Sequence, residues 1–428
     1  MGAILALLGL YLVVTLALPL GNMLAKSVQD PKGAFVGLAN YARYFGTPAL
    51  ALSITNSLFV ALLSTAITVP LAFLYAYALT RSCLPWKPLF KTVAMVPILV
   101  PSLLPGLGLV YLFGNQGLVK GLLLGHSIYG PIGIVMAEVF FTFPHALLIL
   151  ATALSLADAR LYEAAVALRA SPRRIFFTVT LPGARYGLIS ATFVVFIMVI
   201  TDFGAPKVIG GQYNVLATDV YKQVIGQQNF EMGAVVSVLL LVPAALAFLV
   251  DRVVQRRQVA LLTVRAVPYV PKPSPLFDGA MLACCAVIGL YLLGIIAISQ
   301  FGALVKFWPY NLTLTLANYD FDRKGGGGWQ SYYNSIQLGL LTAVVGTATV
   351  FVGAYLVEKG RGFRGMRTAF QLLAMLPMAV PGMVLGLAYI FFFNDPRNPL
   401  NGLYRTMAIL VINTVVHFYT VGHLTGLT

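Results

Sequence analysis

Ten apolar runs, each close to the roughly 20 residues that a helix needs to cross about 30 Å of hydrocarbon, constrain this chain more than any other feature. They lie at about 3–25, 53–79, 92–113, 129–156, 186–206, 232–250, 277–299, 333–357, 368–393 and 405–428, separated by polar, glycine- or proline-bearing breaks. A mean hydropathy of +0.87 over 428 residues cannot be hidden in one soluble core whose surface must be largely polar. The expected fold class is therefore an all-α polytopic membrane protein with about ten spans present.

The net charge of +15 is spread through the short loops between runs, which argues against a nucleic-acid partner. If the loop at 157–185 is cytoplasmic, the loops on its side (81–91, 157–185, 251–276 and 358–367) carry 17 of the 28 Lys and Arg. Under the positive-inside rule that loop and the N-terminus are expected inside. Cys83 falls in a loop and Cys284 and Cys285 are adjacent within a span, so neither a disulfide framework nor a metal site is suggested. The N-terminal run lacks a positive leader and a small-residue cleavage site and is read as a retained span.

The chain repeats itself. "LANY" occurs at Leu38–Tyr41 and again at Leu316–Tyr319, an offset of 278 that also relates Asn56-Ser57 to Asn334-Ser335 and Ala76-Tyr77 to Ala354-Tyr355. With a two-residue insertion, "AMVPILVP" (94–101) matches "AMLPMAVP" (374–381). Six spans separate equivalent positions, so the copies share one orientation and form a parallel repeat. The expected division is a first half at 1–250, a basic cytoplasmic linker at 251–276 and a second half at 277–428. If Phe143 corresponds to Phe418, the counterpart of Glu163 falls beyond Thr428. The second half is accordingly expected to be truncated before its own version of the 157–185 loop.

That loop stands out from its apolar neighbours, with Glu163, Arg169, Arg173 and Arg174 falling within residues 163–182. Ser155 and Asp158 are spaced as a capping box, and Leu161, Ala164, Ala165 and Leu168 follow the pattern of one helix face. Ser171-Pro172 reads as an N-cap and first helical residue of a second short helix, which Leu181-Pro182 is expected to end. Two small helices with arginines can lie on lipid phosphates, but the paired alanines suit close approach to a protein groove and Glu163 would be repelled by anionic lipid. Glu163 can also be read as a surface charge paired with Arg160.

The loop resembles the cytoplasmic signature of bacterial ATP-binding-cassette importer permeases. Glu163-Ala164-Ala165, Val179 and Leu181-Pro182 match that signature in spacing, while Arg169 occupies its usual glycine position. The resemblance implies two six-helix permease halves and makes residues 158 through 182 the coupling segment. Glu163, Ala164, Ala165, Leu168, Arg169, Ser171, Leu181 and Pro182 would be its ATPase-coupling residues. It further implies a cytoplasmic ATP-binding-cassette ATPase dimer that carries ATP and Mg, a periplasmic solute-binding protein, and residence in the bacterial inner membrane against lipid. The chain shows no G-x-x-x-x-G-K-[ST] phosphate loop of its own, so no catalysis and no cofactor is expected on it.

Ionisable groups within spans are functional candidates by default, which selects Glu138, His145 and Asp202 as pathway residues, with a neutral acid hydrogen-bonded to another helix the alternative for Glu138 and pairing to Lys207 the alternative for Asp202. Pro97 and Pro101, repeated as Pro377 and Pro381, interrupt equivalent spans and are candidate gate kinks, with packing kinks as the alternative. Residues 200–230 resemble a region of fused permeases assigned to 2-aminoethylphosphonate import, a group related to iron(III) and polyamine permeases. The outer loops around 26–52, 207–230 and 300–332 are then the expected docking surfaces, and Lys324 with Gly325 to Gly328 is read as a turn. An ion-coupled carrier using Glu138 or Asp202 is the competing transporter reading. An intramembrane enzyme around His145 has no convincing nucleophile and base pair.

Overall fold

A computed structural model describes residues 2–259, 267–324 and 327–427. Part of the expected linker, 260–266, and residues 325 and 326 of the glycine turn lie outside the described residues. The chain is an all-α polytopic membrane protein. Among the described residues seven helices are long and apolar enough to cross a membrane: Gly2–Ser27, Pro48–Arg81, Pro131–Ser155, Phe230–Asp251, Pro275–Leu304, Gly328–Lys359 and Met407–Leu427. Each overlaps one expected run.

The other three runs fall on helix pairs that bend sharply, Lys87–Leu99 with Leu103–Phe113 by 105°, Pro172–Gly183 with Arg185–Thr201 by 62°, and Arg364–Ala379 with Gly382–Phe393 by 112°. The first and third bends have the same cause. A residue before proline is pushed out of the helical region by the proline ring. Val100 before Pro101 sits at φ −103°, ψ 128°, and Val380 before Pro381 at φ −103°, ψ 116°. Each bend is entered through a short 3-10 turn, Val96–Leu99 or Leu376–Ala379.

The run expected at 186–206 ends earlier, at Thr201. Asp202 turns extended, at φ −70° and ψ 137°, and its Oδ2 accepts from the Ala205 amide at 2.9 Å, capping the start of a separate helix, Gly204–Ile209. Between 207 and 230 the chain is not a free loop. Leu216–Tyr221 is a helix whose Leu216, Ala217 and Val220 are buried. Near 300–332 lies a hairpin that the sequence reading did not anticipate, Val305–Phe307 antiparallel to Asn311–Leu314 with Val305 opposite Leu314 and Phe307 opposite Asn311.

Packing sorts these elements into two compact units, residues 1–52, 216–245 and 316–428 in one and 53–215 and 246–315 in the other. The first helix packs in the unit that holds residues 316–428, and Pro275–Leu304 packs in the unit that holds residues 53–215. In the first unit, Leu5 and Leu12 bury against Leu356, Phe370, Val415 and Tyr419.

Candidate functional site

Asp158 opens the loop. At φ −73° and ψ 122° it is the N-cap of the helix Ala159–Ala167, and its carboxylate accepts from the Arg160 amide at 3.1 Å. Ser155 takes no part in a capping box: its hydroxyl donates to the Ala151 carbonyl at 2.7 Å and so belongs to the preceding helix. The loop helix closes in a Schellman motif, with the Ala170 amide donating to the Ala165 carbonyl at 3.0 Å and the Arg169 amide to the Val166 carbonyl at 2.9 Å. That motif requires a left-handed residue after the C-cap, and Arg169 supplies it at φ 54°. The usual glycine is therefore replaced without loss of the turn.

Ser171 caps the second helix, its hydroxyl accepting from the Arg174 amide at 3.4 Å, and Pro172 follows at the first helical position. Leu181-Pro182 does not end this helix. A π-helical stretch, Phe176–Thr180, carries the chain on to Leu181–Gly183, and the break comes at Ala184. A π-helix occurs mostly as such a single-turn insertion between α-helical segments.

The loop helix has an inner and an outer face. Ala159 and Tyr162 are buried. Glu163, Ala164, Val166 and Leu168 are exposed, Leu168 to 83%, as are Leu161 on the same helix and Phe177 further along the loop. Ala165 and Leu181 are half-buried, while Arg169, Ser171 and Pro182 are exposed. Glu163 makes no ion pair with Arg160 among the described residues. The outer face thus presents an acid, small residues and a leucine that no other described residue covers.

Glu138 lies on Pro131–Ser155 and is fully buried, with neither carboxyl oxygen hydrogen-bonded among the described residues. Asp202, half-buried, is close enough to act on it electrostatically. His145, two turns further along the same helix, is half-buried against Phe141 at 6.1 Å. The candidate kink residues Pro97, Pro377 and Pro381 are buried and Pro101 is exposed. Thr420 stitches the second bend, accepting from the Met378 amide at 3.2 Å and donating to the Ala374 carbonyl at 2.8 Å. Beside it a cavity of about 400 Å³ is lined by Tyr221, Gly382, Gly386, Leu387 and Asn413 among others.

Residues 68–259, which contain the loop and the first bend, match the sequence profile of the family described as "Binding-protein-dependent transport system inner membrane component". Over 158 residues the chain is 30% identical to a molybdenum transport system permease protein of Escherichia coli, covering 35% of this chain and 67% of that one. The chain belongs to that family. It is 28% identical over 386 residues to a ferric transport system permease protein of Haemophilus influenzae, covering 86% of this chain and 60% of the relative. To the ferric transport system permease protein of Actinobacillus pleuropneumoniae it is 27% identical over 394 residues, covering 89% and 56%. The chain thus spans little more than half the length of these two relatives.

In this inner-membrane component the sequence reading missed the residues that root the loop. Tyr162 donates through its hydroxyl to Thr180 at 3.1 Å, tying the first short helix to the second, and accepts from Arg81 at 3.3 Å. Their signal was faint. Arg81 is a single cation at the end of an apolar helix, and Tyr162 is an aromatic residue on the face opposite the exposed leucine.

Proposed function

We propose that the chain is the permease subunit of an ATP-driven importer, carrying a small solute from periplasm to cytoplasm by alternating access. The observation that carries this reading is the two-faced loop helix: Tyr162 and Ala159 are buried against the protein, while Glu163, Ala164 and Leu168 are exposed, uncovered by any described residue. In this reading the outer face seats in a cytoplasmic ATP-binding-cassette ATPase dimer, which supplies ATP and Mg. A periplasmic solute-binding protein delivers cargo from the other side. In this reading the loop and the N-terminus lie in the cytoplasm, which the positive-inside balance supports.

The proposed cargo is 2-aminoethylphosphonate, on the resemblance of residues 200–230. Ferric iron is the second reading, favoured by the two long matches to ferric transport permeases. Uptake of labelled 2-aminoethylphosphonate and of labelled ferric iron by cells carrying the complete system separates them. Uptake should stop on ATP depletion and in the Leu168→Asp variant. Uptake that follows the proton gradient and survives ATP depletion would favour an ion-coupled carrier.

A further inference from the structure

The loop helix is held by a segment that its proposed coupling role does not use. Where the described chain resumes, residues 267–274 hold no helix before Pro275–Leu304, and Pro268 forms an isolated antiparallel bridge with Asp158. The Ala159 amide donates to the Val267 carbonyl at 2.9 Å, and the Val267 amide to Asp158 Oδ1 at 3.4 Å. Further along, Cys83 Sγ contacts the Pro271 carbonyl at 3.5 Å. Asp278 then accepts from the Cys83 amide at 2.8 Å and from the Ser274 amide at 2.9 Å. One short strap therefore touches the start of the loop helix and then the turn after Pro48–Arg81.

Arg81 sits between these contacts, 7% exposed. Its guanidinium lies 5.1 Å from the Tyr162 ring centre and 4.6 Å from that of Tyr269, and the two rings are 4.7 Å apart. It donates to the Leu154 carbonyl at 2.7 Å, the Tyr162 hydroxyl at 3.3 Å and the Thr80 carbonyl at 3.3 Å. A buried cation is costly unless compensated. Among the described residues no carboxylate bonds this one. Carbonyls near the C-terminal ends of two helices, where the helix dipole is negative, and two aromatic faces serve it instead. In the strap Val267, Pro268 and Val270 are exposed and Tyr269 is half-buried, so the tyrosine is the side chain by which the strap reaches Arg81.

The geometry points to residues 267–274 as a positioning strap: through Tyr269 and Arg81, the connector between the two sequence copies fixes the loop helix in the orientation that presents Leu168. This rests on the coupling reading of residues 158–182. Arg81, Tyr162 and Tyr269 are positioning residues, since none belongs to the exposed face. Displacing the strap would open one side of the guanidinium to water, weaken its hold on Tyr162 and loosen the helix.

The test uses the full chain with its ATPase in lipid nanodiscs, in a Cys284→Ala, Cys285→Ala background that leaves Cys83 as the reporter under the strap. Tyr269→Ala should raise the rate of maleimide labelling of Cys83 about tenfold, the change expected on losing one desolvated cation–π contact. It should also lower the ATPase retained on purification, while Tyr269→Phe, which keeps the aromatic face, leaves both unchanged. Unchanged labelling in Tyr269→Ala would overturn the strap, and faster labelling with full ATPase retention would overturn its positioning role. Glu163→Ala separates the two readings: if that variant retains the ATPase, the coupling assignment fails and the positioning role fails with it, whereas Cys83 labelling still decides whether the strap is held by Tyr269.

Discussion

Val100 and Val380, each directly before a proline, share one backbone conformation, and each lies at the corner where a membrane helix turns through more than a right angle. The amide of each donates to the carbonyl of the earlier proline, Pro97 or Pro377, at 3.1 Å. Two distant stretches thus solve one steric problem the same way. Replacing the second proline removes the ring that excludes the helical region. Pro101→Ala and Pro381→Ala should broaden the distance distribution between spin labels on the two arms of each bend, and unchanged narrow distributions would show that packing alone sets the angle.

Arg169 pays for its left-handed conformation, which costs a residue with a Cβ roughly 1–2 kcal/mol. Arg169→Gly should stabilise the corner by about 1 kcal/mol, read as slower hydrogen exchange at the Ala170 amide. Arg169→Val should do the reverse, because a β-branched side chain tolerates positive φ poorly.

Asp158 serves two amides at once, those of Arg160 and Val267. Asp158→Ala should cost about 1 kcal/mol of loop stability and speed exchange at both amides, while Asp158→Asn should keep most of the cap. Faster exchange at Arg160 alone would mean that the strap stands without this carboxylate.

Thr420 satisfies the Met378 amide and the Ala374 carbonyl at the second bend. Thr420→Val keeps the shape and leaves both groups without this partner, a loss of about 1–3 kcal/mol. The midpoint of thermal unfolding in detergent should fall, and an unchanged midpoint would show that neither bond contributes.

Gly386 lines the cavity beside the second bend, and a Cβ there meets nothing within 4 Å. Gly386→Leu should insert and fold normally while filling that space. If the cavity belongs to the transport path, uptake falls with expression and ATPase retention unchanged; full uptake would remove the cavity from the path.

Much of the fold could be read from residue order because the signals were local. Apolar length marked the spans, the paired prolines marked both bends, and Ser171-Pro172 marked a helix start. What could not be read depends on contacts between distant residues. Ser155 and Asp158 had capping-box spacing, but only the actual end of the preceding helix shows that Ser155 still belongs to it. Residues 216–224 looked like a polar outer loop, yet Leu216, Val220 and Val224 are buried by packing that no local period encodes. Arg81, Tyr162 and Tyr269 are far apart in sequence and meet only when the strap folds back. The outer face of the loop was legible, whereas the inner face that holds it was not.

The most direct measurement places a photo-crosslinking residue at position 168 in the full-length chain, in native membranes, and identifies what it captures by mass spectrometry. The coupling assignment predicts one dominant adduct to a cytoplasmic ATPase that carries a phosphate-binding loop, lost when Ala165→Trp blocks close approach. Adducts to lipid alone would contradict it and would make the loop a surface helix resting on the membrane.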